Sequence, residues 1–197
     1  MNRTTKTSKL TFLGVMLALT SVFVALTAIP TTSASMALLI FLPTIITSII
    51  HGPKSGAVMG ALAGLITLLR ALLAPASPLD YLFLNPLVAI LPRIFIGVVP
   101  YYVFKLFKKL IKNNTVSLLI AGVSGALINT ALVILMLYVV YSDEIVKIST
   151  DFGIGTTFAA FAIFLISTSA LIESSVAGIG TAAVVNVYDK LNSGRNI

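Results

Sequence analysis

The sequence predicts an all-α membrane protein: one domain over residues 1–197, a bundle of six transmembrane helices with N- and C-termini in the cytoplasm. Three observations predict it. Of the 197 residues, 58% are hydrophobic and 10% charged, with a mean hydropathy of +1.08, whereas about a quarter of the residues of a soluble domain are charged. Long apolar runs recur between short polar stretches, at the length a bilayer core requires. Basic residues gather at alternate ends of those runs, which makes the net charge of +7 a topology signal rather than a nucleic-acid footprint.

The first span, residues 10–29, follows Arg3, Lys6 and Lys9 and is too long for the core of a signal peptide. The second, residues 36–50, is short and carries Pro43, Thr44 and Thr47; the turn His51, Gly52, Pro53, Lys54 separates it from the third, residues 55–73. Residues 74–84 read as a loop containing Asp80 and Tyr81. A fourth span, residues 85–104, ends in Lys105, Lys108, Lys109 and Lys112, which also suit an anionic lipid surface. The fifth covers residues 116–141, a polar stretch follows with Asp143, Glu144, Lys147 and Asp151, and the sixth covers residues 156–187. A cytoplasmic N-terminus puts nearly all the basic residues on one side and leaves Lys147 on the other.

The fourth span opens on Asn85-Pro-Leu-Val-Ala-Ile-Leu-Pro-Arg93. Asn85 suits a helix cap and Pro86 a first turn, whereas Pro92 has no N–H to give the carbonyl of Val88. Arg93 then lies about 12 Å below the helix start at 1.5 Å per residue, where a charge costs roughly 2.5 to 3.5 kcal/mol. Its alternatives are a ligand anion, an ion pair with Glu173 and snorkelling to the interface. By the same count Glu173 is roughly 25 Å deep and Asn129 about 18 Å. If Glu173 claims Arg93, Arg70 is the next cation. Asn129 either binds a ligand amide or hydroxyl or joins two helices. Thr47, like Thr44 and Thr20, either faces the ligand or bonds its own backbone. Tyr81 is either a lid or part of an interfacial belt.

Small residues recur at spacings of four: Gly56, Gly60, Gly64; Ala121, Gly125; Ala170, Ser174, Gly178, Ala182. Such ridges let helices approach closely. Gly14 and Ala18, then Ser21 and Ala25, offer the first span either internal packing or a partner's docking face. With no cysteine and His51 as the single histidine, disulfide and zinc chemistry are closed. No phosphate-binding loop, nucleophile elbow or His-Glu-x-x-His motif occurs, so no catalytic residue, metal or cofactor is expected and ATP hydrolysis must lie elsewhere.

The short spans, the inward termini and the Asn-Pro-x-x-x-x-Leu-Pro-Arg string with Ile94, Phe95, Ile96 and Gly97 after it resemble the S components of energy-coupling factor (ECF) transporters. The branch it resembles holds the pantothenate and riboflavin receptors. The resemblance implies a vitamin receptor of the bacterial plasma membrane that binds from outside and works with a transmembrane T component and two ATPases. Docking in that family uses Ala-x-x-x-Ala on the first helix; here Gly14, Ala18, Ser21 and Ala25 stand in its place. One cation, amides and hydroxyls, with no tryptophan to stack a ring, suit a single carboxylate. The expected ligand is pantothenate, with Arg93 on its carboxylate, Asn129 on its amide or a hydroxyl, and Asn85, Tyr81 and Thr47 around it. Other vitamins (riboflavin, folate, pyridoxine, a hydroxymethylpyrimidine) and a stand-alone transporter or channel are the alternatives.

Overall fold

The computed structural model describes residues 3–29, 39–76 and 78–193. All regular structure there is helical: α1 (Arg3–Leu26), α2 (Leu42–His51), α3 (Pro53–Leu73), a 3-10 segment (Pro78–Leu84), α4 (Pro86–Ala89), α5 (Leu91–Ile96), α6 (Val99–Ile111), α7 (Asn114–Asp151), α8 (Phe158–Leu165), a π turn (Ile166–Ala170) and α9 (Leu171–Ser193). Five stretches are long and apolar enough to cross a membrane: Thr7–Leu26, Pro53–Leu73, Pro86–Ile111, Asn114–Asp151 and Phe158–Leu191. The predicted second span contributes a helix of 10 residues that starts at Leu42 with Pro43 in its first turn; residues 36–38 and Arg195 lie outside the described residues. At 1.5 Å per residue α2 covers about half of the roughly 30 Å hydrocarbon core.

Prolines divide the fourth span. Pro86, Pro92 and Pro100 each stand in the first turn of a new helical piece, because each lacks the N–H that would continue the preceding turn. The first break, at Ile90, is where Pro92 predicts a weakness. The span then outruns its expected end at Phe104 and reaches Ile111, with Lys105 over the Tyr101 ring at 4.7 Å and Lys108 over Phe104 at 5.1 Å. Lys112, at φ 58°, closes it.

The fifth span also differs from expectation. Tyr141 has non-helical backbone angles, yet the helix resumes and carries residues 143–151, which the sequence reading makes a polar connection. The continuation is amphipathic: Asp143, Glu144 and Lys147 are exposed, while Ile145 and Ser149 are fully buried one turn apart. Ile145 joins Leu82, Val88, Leu137 and Phe161 in one apolar cluster, so a stretch rich in charge is held as helix by its buried face.

Glycine ridges fix two crossings. A Cβ at Gly56 would strike the Gly97 carbonyl, one at Gly60 the Arg93 carbonyl, and one at Gly64 would lie 2.7 Å from the Ile90 Cα. The α3 ridge therefore seats the broken α4/α5 segment backbone to backbone. Gly122 of α7 meets Ala177 and Gly178 of α9 in the same way, at the most extensive helix contact of the bundle.

Contacts also sort the two ends of the bundle. At one, Phe12 of α1 packs on His51 at 4.7 Å and on Tyr188 at 5.7 Å, and Asn114 donates to Asn186 at 3.0 Å. At the other, Arg70 pairs with Asp80 at 2.6 Å and donates to the Thr27 carbonyl at 2.8 Å. The segment between α3 and α4 is thus a built element. Asp80 ties it down, and Leu82 within it is only 2% exposed.

A candidate ligand cavity beside Arg93

The Asn85 side chain accepts from the Leu87 N–H at 2.9 Å and so caps α4, as its place before Pro86 predicts. Three residues on, the Val88 carbonyl has lost its helical donor to Pro92. The Arg93 guanidinium turns back to it, donating from Nη1 at 3.5 Å, and its Cζ lies 5.5 Å from the centre of the Phe83 ring. One proline thus breaks the helix and leaves an acceptor that holds the arginine. That hold is partial. The side chain is 7% exposed, and its Nε has no hydrogen-bond partner among the described residues.

Arg93 faces a cavity of about 220 Å³. The 3-10 segment contributes Leu82 and Phe83; α7 contributes Asn129, Thr130, Val133, Ile134 and Leu137; α8 and α9 contribute Phe161, Leu165 and Glu173; Ile40 and Phe41 close the remaining side. Polar groups are few. Thr130 satisfies its hydroxyl on the Ala126 carbonyl at 3.3 Å. Asn129 is 6% exposed and its Oδ1 has no partner among the described residues. A buried amide and a buried guanidinium with spare hydrogen-bonding capacity, in an apolar enclosure, form a site for a small ligand that supplies their partners.

The expected site residues divide accordingly. Arg93 and Asn129 are brought together. Asn85 serves the backbone and does not line the cavity, nor does Tyr81, which is 40% exposed and edge-on to Tyr141 at 6.2 Å. Burial first, then Glu144 and Tyr141, push the Tyr81 phenol above its usual pKa, which keeps it an O–H donor. Thr47 is fully buried outside the lining, with a hydroxyl that has no partner among the described residues, whereas Thr20 bonds the Met16 carbonyl at 2.9 Å.

Three expectations are corrected. Arg70 is not a spare cation, because Asp80 and Thr27 occupy it. Glu173 is not far below Arg93: both line one cavity, though they form no ion pair within 4.0 Å. The depth count assumes unbroken α-helix, whereas the fourth span breaks at Ile90 and the sixth contains the π turn Ile166–Ala170. The site also has aromatic walls, Phe41, Phe83 and Phe161, which the sequence reading does not place there; Phe83 falls within residues 74–84, read as a loop. The continuous apolar run Leu82, Phe83, Leu84 after Asp80 is the signal available for Phe83.

On the first helix, Gly14, Ala18 and Ala25 are exposed and Ser21 is half-buried with its hydroxyl on the Leu17 carbonyl at 2.9 Å. A Cβ at Gly14 would meet nothing within 4 Å.

Comparison with known proteins adds three findings. The family model described as "ECF transporter, substrate-specific component" matches residues 8–185. The chain is 30% identical over 166 residues to a pantothenic acid transporter PanT of Lactococcus lactis subsp. cremoris, covering 77% of each chain. It is 35% identical over 96 residues, 46% of each chain, to a pantothenate transporter PanT of Leuconostoc mesenteroides subsp. mesenteroides.

Proposed function

This chain belongs to the family of ECF transporter substrate-specific components, and from that premise we propose that it is a pantothenate receptor. It captures the vitamin in the cavity between Arg93 and Asn129 and delivers it inward through a T component and two ATPase subunits.

The carrying observation is the buried guanidinium that keeps hydrogen-bonding capacity beside a largely apolar cavity. A carboxylate supplies the charge-assisted partner that Arg93 lacks, and Asn129 suits an amide or hydroxyl. A cavity of about 220 Å³ falls below the roughly 300–1,000 Å³ of pockets for drug-sized ligands, which favours a slim acyclic molecule. The names of the two relatives agree with that chemistry.

The basic residues support an orientation. Lys9, Lys54, Lys105, Lys108, Lys109, Lys112 and Lys190 belong to the end marked by Phe12, His51 and Tyr188, and this end faces the cytoplasm of a bacterium by the positive-inside rule. Tyr81 and the cavity then lie toward the outside. Gly14, Ala18, Ser21 and Ala25 form the face of α1 offered to the T component.

A vitamin with an aromatic ring is the second reading, favoured by Phe41, Phe83 and Phe161 in the lining. Isothermal titration of the purified chain separates the two: pantothenate binds and riboflavin does not. Tight riboflavin binding with none for pantothenate would reverse the assignment. Vesicles containing this chain alone should accumulate no pantothenate, and addition of the T component and ATPases should make uptake depend on ATP. Uptake by the chain alone would make it a self-sufficient transporter.

A further inference from the structure

Glu173 reaches the cavity through an irregularity in its helix. Phe161 and Leu165 line the cavity one turn apart, and an unbroken α-helix would bring residues 168–169 and 172 to that face next. Ile172 is instead 55% exposed, Leu171 is 71% exposed, and Glu173 meets the cavity. The π turn Ile166–Ala170 accounts for the shift, since i→i+5 bonding inserts an extra residue into the turn and advances the inward face by one position. Restoring the α-helical register would put isoleucine where the acid now is.

Glu173 forms no ion pair among the described residues. Arg93 and Glu173 therefore present a cation and an acid to one apolar space from different walls, α5 and α9, with Asn129 of α7 as a third polar group. The carboxyl oxygens of Glu173 accept hydrogen bonds, so they suit the hydroxylated, uncharged end of a ligand whose carboxylate sits on Arg93.

We propose that Glu173, turned into the cavity by the π turn, is a ligand-binding residue that accepts hydrogen bonds from ligand hydroxyl groups and so fixes which end of the ligand faces Arg93. This rests on the reading of the chain as a pantothenate receptor and adds to it a determinant of specificity.

Isothermal titration of the purified full chain tests the assignment with two ligands, pantothenate and an analogue lacking both hydroxyls but keeping carboxylate and amide. Wild-type protein should bind pantothenate about 10- to 100-fold more tightly than the analogue. In Glu173→Ala that ratio should collapse to within about threefold, through loss of pantothenate affinity. If Glu173→Ala does not yield folded protein, the near-isosteric Glu173→Gln carries the test, and a reduced ratio supports the assignment. A variant that discriminates as well as wild type overturns it. So does an equal shift for both ligands, which would mean that Glu173 acts only through the charge of Arg93. Wild-type protein that binds neither ligand overturns the pantothenate reading itself.

Discussion

Arg70 and Arg93 both bring a guanidinium into the bundle, and their surroundings assign them opposite work. Arg70, at the end of α3, has an acid at 2.6 Å and a carbonyl at 2.8 Å; it fastens the end of α1 and the 3-10 segment to α3. Arg93 is buried where Arg70 is only half-buried, yet it has one carbonyl at 3.5 Å and an aromatic ring. A cation whose partners come from the fold stabilises the fold. A cation left short of partners beside a cavity is, in the function proposed above, the one that takes the ligand's carboxylate.

The sharpest way to break that contrast is to remove each arginine in turn. Arg93→Ala should reduce pantothenate affinity by about 100-fold or more, the loss of two charge-assisted hydrogen bonds, while thermal unfolding in detergent changes little. Arg70→Ala should do the reverse. Asp80 keeps the Ala76 N–H at 2.7 Å but loses its counter-charge, which costs about 3 kcal/mol, the low end for a broken buried pair, and this appears as a lower unfolding temperature with a smaller change in affinity.

A second test moves the backbone beneath Arg93 without touching its side chain. In Gly60→Ala the new methyl meets the Arg93 carbonyl, so α5 must shift, and titration should show about a tenfold weaker affinity, near 1.4 kcal/mol. Gly14→Ala is the matched control on an open face: binding should stay at the wild-type value, and any effect should appear only in uptake by the assembled transporter.

Asn129→Ala removes a buried amide and should cost about 1 to 2 kcal/mol in binding, about fivefold to thirtyfold in affinity. The smallest effect belongs to Tyr81→Phe. It removes one hydroxyl outside the cavity lining and should weaken binding about threefold at most.

How much of this was legible in the sequence differs between the two arginines as well. The proline and asparagine pattern predicts the cap at Asn85, the freed carbonyl of Val88 and a buried Arg93, because these are local backbone consequences of residues within one or two turns. The glycine spacing on α3 predicts a close crossing but not its partner. The Arg70–Asp80 pair was not legible, since it depends on how Pro78–Leu84 folds back over the bundle. Neither was Glu173 as a cavity residue: a π turn among Ile166–Ala170 leaves no simple trace in hydrophobic periodicity, and helix counting fails by one position after it. The polar stretch beyond Tyr141 misleads for a related reason, because its composition is that of a loop while Ile145 and Ser149 retain helical spacing toward the core.

The most direct measurement of the central claim titrates pantothenate and its uncharged alcohol analogue, pantothenol, into wild-type protein and Arg93→Ala. With the guanidinium taking the ligand's carboxylate as proposed, wild-type protein should prefer the acid by about 100-fold, and Arg93→Ala should bind acid and alcohol alike. Wild-type affinity for the acid in Arg93→Ala, or a preference that survives the substitution, would contradict the account.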